Sequence, residues 1–138
     1  MNTHLPSETS DLTSTEAAAV ADLVRAVNGG EHVPLTHLFA ADAQVNDQLR
    51  NFWGLDAISD WLKREIVDEH VKLEVRSIRK HYDVVILDAE MSGDFAAAGL
   101  PQPLVVDIYV TVHDAKVVRL LILLVRNDVA EPEVRRVP

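Results

Sequence analysis

The chain has 138 residues, 48% of them hydrophobic, which suits a single domain with one sizeable core. Its formal net charge of −9 argues against nucleic-acid binding, and its lack of cysteine excludes disulfides and thiolate metal sites. The longest apolar run, Leu120 to Val125, is too short to span a bilayer, and no basic-then-apolar leader opens the chain, so a cytoplasmic location is expected.

Residues 1–12 are polar, contain Pro6 and several Ser and Thr, and read as a flexible arm. Thr13-Ser14-Thr15-Glu16 is a capping box, with Thr13 as N-cap and Glu16 reaching back. Ala17, Val20, Leu23, Val24 and Val27 follow at helical spacing, and Gly29-Gly30 stops the helix. A short second helix is predicted near Pro34, carrying Leu35, Leu38 and Phe39. A third starts after Gly54 and runs through Ala57, Ile58, Trp61, Leu62 and Ile66, with Asp56, Asp60, Glu65, Asp68 and Glu69 as its solvated face. Beyond it the apolar period falls to two. Strands are predicted over 71–76, 84–92, 104–113 and 117–126, with Asp114-Ala115 as a tight turn between the last two. Residues 130–138 form a polar tail, so the domain proper is expected over 13–129.

Helices first and strands later mean an α+β fold. Both faces of the last two strands are apolar. On the first of them Val106, Ile108 and Val110 share one face; Val105, Asp107, Tyr109 and Thr111 share the other. Three helices cover only one face of a sheet, and a large apolar patch left open is rare on a monomer. A homodimer built sheet on sheet is therefore expected, burying Val106, Ile108 and Ile122. Asp107 is the one charged residue in its strand. An ionised carboxylate in an apolar setting is costly, so Asp107 marks either a solvated edge or a functional cavity.

The segments Asn28-Gly29-Gly30-Glu31, Leu38-Phe39-Ala40-Ala41-Asp42-Ala43, Val45-Asn46-Asp47 and Trp53-Gly54-Leu55-Asp56-Ala57-Ile58 resemble the opening of NTF2-like proteins. The similarity continues through Ser92-Gly93-Asp94-Phe95 and Lys116-Val117-Val118-Arg119-Leu120, spanning roughly 14–126. The resemblance implies a cone: a curved antiparallel sheet wrapped around about three N-terminal helices, with a pocket at the open end. The superfamily includes SnoaL-like polyketide cyclases, ketosteroid isomerases and non-catalytic members. Asp47 resembles the aspartate that moves a proton in ketosteroid isomerase. Asp107 resembles the protonated aspartate of its oxyanion hole, and also the late-strand acid–base aspartate of the cyclases. Leu23 stands where the isomerase has a tyrosine.

The resemblance and the residues together make Asp107 and Asp47 the catalytic candidates. Tyr109, Leu23, Phe52, Trp53, Trp61 and Val105 are expected to line the pocket, although Asp47 also reads as a turn cap, and Tyr109 and Trp61 as packing residues. No metal or other cofactor is expected: His32 and His37 are five apart and the remaining histidines are scattered. No phosphate loop or nucleophile elbow is present. Two functions are compatible with these features. One is a small cofactor-free enzyme moving a proton on a hydrophobic carbonyl compound, as an isomerase or cyclase. The other is a non-catalytic module that binds a small apolar ligand or a protein partner.

Overall fold

Helix α1 (Ser14–Gly29) forms where the capping box sets it: the Thr13 hydroxyl accepts from the Glu16 amide at 3.0 Å, and Glu16 Oε1 accepts from the Thr13 amide at 2.9 Å. Such a cap contributes about 1 kcal/mol. Gly30, at φ 65°, takes the left-handed position that closes the helix. The structure, a computed structural model, describes residues 11–95 and 99–125. The expected tail and residues 1–10 of the expected arm lie outside the described residues.

Helix α2 (His32–His37) is shorter than the sequence suggests, because Phe39 opens a strand instead of continuing it. That strand, β1 (Phe39–Asp47), pairs with β2 (Arg50–Trp53) as a hairpin. Neither was predicted. Helix α3 (Leu55–Trp61) then passes without a break into a π-helical extension, Leu62–Val67. Strands β3 (Lys72–His81), β4 (Val84–Ser92), β5 (Val105–His113) and β6 (Lys116–Leu124) follow close to their predicted places.

The six strands form one curved sheet in the order β2-β1-β6-β5-β4-β3. The expectation of a purely antiparallel sheet is corrected at one seam: β1 runs parallel to β6. The expected α+β cone is otherwise the observed architecture. Two side-chain bridges dock α1 on the far edge. Buried Asn28 accepts from the Leu73 amide at 2.7 Å and donates to the Leu73 carbonyl at 3.0 Å, and Lys80 pairs with Glu16 at 2.7 Å.

The helices cover one face of the sheet. Val45, Ile78, Val85, Leu87, Val106, Ile108, Val110, Leu120 and Ile122 pack there with Val20, Leu23, Val24, Ile58 and Trp61. Burying each large side chain contributes roughly 1.5–3 kcal/mol. Val106, Ile108 and Ile122 are 2%, 3% and 5% exposed within the single chain. They therefore cannot form the expected dimer interface. The opposite face carries Tyr109, Leu121 and Leu123, which are only half-buried in the single chain.

Candidate functional site

The inner face of the sheet stops short of the helices at one end and leaves a cavity of about 390 Å³. Ile66, Val71, Met91, Phe95, Leu100, Leu104, Val106, Ile122 and Leu124 make its apolar wall. Asp47, Gln48, Arg64, Glu65 and Glu69 make its polar side. The volume lies within the range of small-molecule pockets, and protein interiors seldom keep such space open without a use for it.

Strand pairing carries Asp47 to this cavity. It is in register with Ile122 on β6, so the two share the inner face. Both hydrogen bonds to its carboxylate end on Oδ2: the Trp61 indole N–H donates at 3.1 Å and the Arg50 guanidinium at 2.8 Å. Arg50 also donates to both Glu65 oxygens, at 2.9 and 2.7 Å, and lies 5.5 Å from the centre of the Phe52 ring. The Arg50 bond, against an opposing effect of burial, holds the Glu65 carboxyl below its usual range; the same bond raises Arg50. With the Arg50 side chain 51% exposed, each ion pair is worth about 0–1 kcal/mol, so the arrangement orients groups more than it stabilises the fold.

The hairpin turn that presents Asp47 and Arg50 is made by Gln48 and Leu49, both at positive φ (53° and 72°). Such turns favour Asn-Gly, because side chains are disfavoured in that region. Local bonds compensate: the Gln48 amide and side chain both donate to the Ile122 carbonyl, at 3.1 and 3.0 Å, and Asn46 Oδ1 accepts from the Leu49 amide at 3.0 Å.

The expectation that Glu65 and Glu69 sit on a solvated helix face is corrected by the π-helical extension. Asp56 and Asp60 on α3 and Asp68 at the end of the extension are exposed, whereas Glu65 and Glu69 are half-buried and line the cavity. The wider π turn moves Glu65 around the axis relative to an α-helix, and π segments are rare enough to note at a site.

Asp107 lies elsewhere. It is in register with Leu123 on β6 and Asp88 on β4, on the sheet face turned away from the helices. The expectation that it is a catalytic residue facing the pocket is therefore corrected: β5 lines the cavity with Val106, one residue out of phase with Asp107. Burial, and next the like charge of Asp88, raise the Asp107 pKa, while Arg79 and Arg76 oppose the shift. Asp88 itself meets Arg76 Nε at 3.1 Å.

Val105 and Tyr109 share the outer face with Asp107. Leu23 and Trp61 border a separate void of about 30 Å³ inside the packed core. Phe52 stacks on Trp61 with ring centres 5.8 Å apart, and Trp53 is 65% exposed. Of the predicted site residues, Asp47 alone is among those lining the larger cavity. Arg50, Glu65, Glu69 and the apolar wall were not anticipated; the nearest signal was Arg50 three residues from Asp47, a spacing that reads as an ordinary surface pair.

No family model and no curated protein matches the chain. Solved structures do. A candidate polyketide cyclase from Sinorhizobium meliloti aligns at TM-score 0.68 and 22% identity, over 80% of this chain and 100% of that one. A candidate ketosteroid isomerase from Kribbella flavida aligns at TM-score 0.70 and 16% identity, over 91% and 92%. An NTF2-like protein of unknown function from Cytophaga hutchinsonii gives 0.66 and 9%, over 84% and 94%. At these identities the common property is the fold, and the chain has the NTF2-like fold.

Proposed function

We propose that the chain takes up a small, mainly apolar molecule in the cavity between the α3 extension and strands β4 to β6. The observation that carries this reading is the open volume of about 390 Å³ behind a wall of aliphatic, thioether and aromatic side chains, with polar groups on one side only. Ligands that bind only the folded state raise its thermal midpoint by mass action. A panel of apolar compounds in excess over their Kd should then shift the midpoint by about 5–10 °C. Val106→Phe fills the cavity from its sheet wall and should remove the shift while the protein stays folded. If no compound of a broad panel shifts the wild type, the reading fails.

A second reading adds proton transfer by Asp47 to the bound molecule, as in an isomerase or cyclase. It is supported by the donors gathered on Oδ2, which orient the carboxylate at the cavity and leave Oδ1 for a ligand proton. Asp107 has no part in it, and Leu23 supplies no donor, so any developing oxyanion would be met by Gln48 or Arg64. Asp47→Asn should reduce turnover of a responsive carbonyl compound by about 10²–10⁴-fold with little change in binding. Unchanged turnover would leave only the binding role.

The homodimer is retained as a proposal on the outer face, where half-buried Tyr109, Leu121 and Leu123 adjoin. Sedimentation of the wild type and Leu123→Glu at micromolar concentration tests it: a dimer that the substitution dissociates supports it, and a wild-type monomer removes it.

A further inference from the structure

The polar groups of the cavity are nearly all of one sign. Asp47, Glu65 and Glu69 line it with one cation, Arg64. That cation is engaged by Asp60, to which Arg64 donates at 2.6 Å. Arg50 is shared between Asp47 and Glu65. Four carboxylates thus adjoin two guanidiniums, and among the described residues Glu69 has no ion-pair partner. Low-dielectric walls concentrate the field of such a rim into the cavity. Phe95 and Met91 in the same wall are polarisable surfaces that tolerate a cation where purely aliphatic walls do not.

We infer that the ligand class of this cavity is an apolar organic cation: a protonated or quaternary amine carried on an aliphatic or aromatic body. The inference rests on the small-molecule reading above and specifies its charge. The body occupies the wall of Leu100, Leu104, Val106 and Leu124; the ammonium sits toward Glu69 and Asp47 Oδ1, which accepts no hydrogen bond among the described residues. A carboxylate ligand has no such place. To reach a cation it would have to displace Asp60 from Arg64, or Glu65 or Asp47 from Arg50, and would set a negative charge beside an apolar wall. A neutral ligand gains the wall and nothing from the rim.

Three probes with one body separate these cases: phenylbutylamine, phenylbutanol and phenylbutanoate, titrated calorimetrically into the full chain near neutral pH. The amine should bind about tenfold more tightly than the alcohol, and the carboxylate most weakly. Raising the salt concentration should weaken the amine and leave the alcohol unchanged. Glu69→Gln should cost the amine several-fold in affinity and the alcohol nothing; if that variant does not fold, the salt series on the wild type decides. Alcohol binding as tightly as amine, or carboxylate binding tightest, would overturn the inference while leaving the cavity's small-molecule role intact. Binding of none of the three, together with a null result from the apolar panel, would remove both.

Discussion

Ile122 and Leu123 are neighbours on β6, and each stands beside an aspartate from another strand. Asp47 is in register with Ile122 and Asp107 with Leu123. One residue of phase puts a whole sheet between the two carboxyls. Asp47 lies on the helix side, at the edge of a cavity, with two donors on one oxygen. Asp107 lies on the outer side against a second aspartate, with its Oδ1 buried and without a hydrogen-bond partner among the described residues. The contrast teaches that an out-of-place charge in an apolar strand identifies an unusual environment but not a shared site. The partner across the ladder decides what that charge does.

The comparison breaks most sharply at Ile108 and Tyr109, successive residues on β5 that face opposite ways. Ile108 is 3% exposed and packed under the helices, whereas Tyr109 is half-buried on the outer face. Ile108→Asp places an unpaired charge in the core and should cost more than about 4 kcal/mol, enough to unfold the chain. Tyr109→Asp should cost about 1 kcal/mol and leave the fold intact. Urea denaturation followed by circular dichroism measures both. Equal effects would mean that the two faces of β5 are not distinguished as described.

The next effect in size is the coupling around each aspartate. Trp61→Phe removes the indole donor from Asp47 and should cost about 1–2 kcal/mol. A double-mutant cycle of Trp61→Phe with Asp47→Ala should return a favourable coupling of about 1 kcal/mol. The cycle of Asp88→Ala with Asp107→Ala should return the opposite sign, because like charges that face each other across strands repel. Two couplings of the same sign would contradict the picture of one supported and one frustrated carboxyl.

How far the sequence reaches follows from these same residues. Helix α1 was legible because Thr13, Glu16 and Gly30 specify its ends chemically. Strand β3 was legible because its apolar residues alternate, and β4 to β6 because they are short apolar runs rich in Val, Ile and Leu and bounded by turn residues. Strand β1 was not: Phe-Ala-Ala-Asp-Ala-Gln-Val-Asn-Asp has little strand preference, and its ladder is completed by the parallel partner β6, far along the chain. Its turn, Gln48-Leu49, lacks the Gly or Asn that announces a hairpin. Asp47 was therefore found through a family resemblance, not through its own strand. Asp107 was visible as an anomaly, yet with both faces of β5 apolar, periodicity shows which residues share a face and not which face is inside. The cavity wall was illegible because Ile66, Met91, Leu104 and Leu124 come from separate segments that only the closed sheet brings together.

The smallest effect, and the most specific to the outer face, is the pH dependence of stability carried by Asp107. Burial and then Asp88 raise its folded pKa above the ordinary value of about 3.9. Below the unfolded pKa the carboxyl is protonated in both states and contributes nothing. As pH rises through the unfolded value, the unfolded chain ionises first, so Asp107 increasingly opposes folding. The cost levels off above the folded pKa. Asp107→Asn keeps the shape and cannot ionise, so it should match wild type at acid pH and exceed it near pH 7. Because the site is partly solvated, screening limits the gain to about a few tenths of a kcal/mol, up to 1. Asp88→Asn removes the like charge and should reproduce part of that gain. Chemical denaturation of the three proteins across the acid to neutral range measures the difference. Were Asp107→Asn instead less stable at pH 7, and the wild type alone lost stability on acidification, Asp107 would be an ionised carboxylate held by Arg79 and Arg76. Both aspartates would then be supported charges, and the contrast between the two faces of the sheet would reduce to their distance from the cavity.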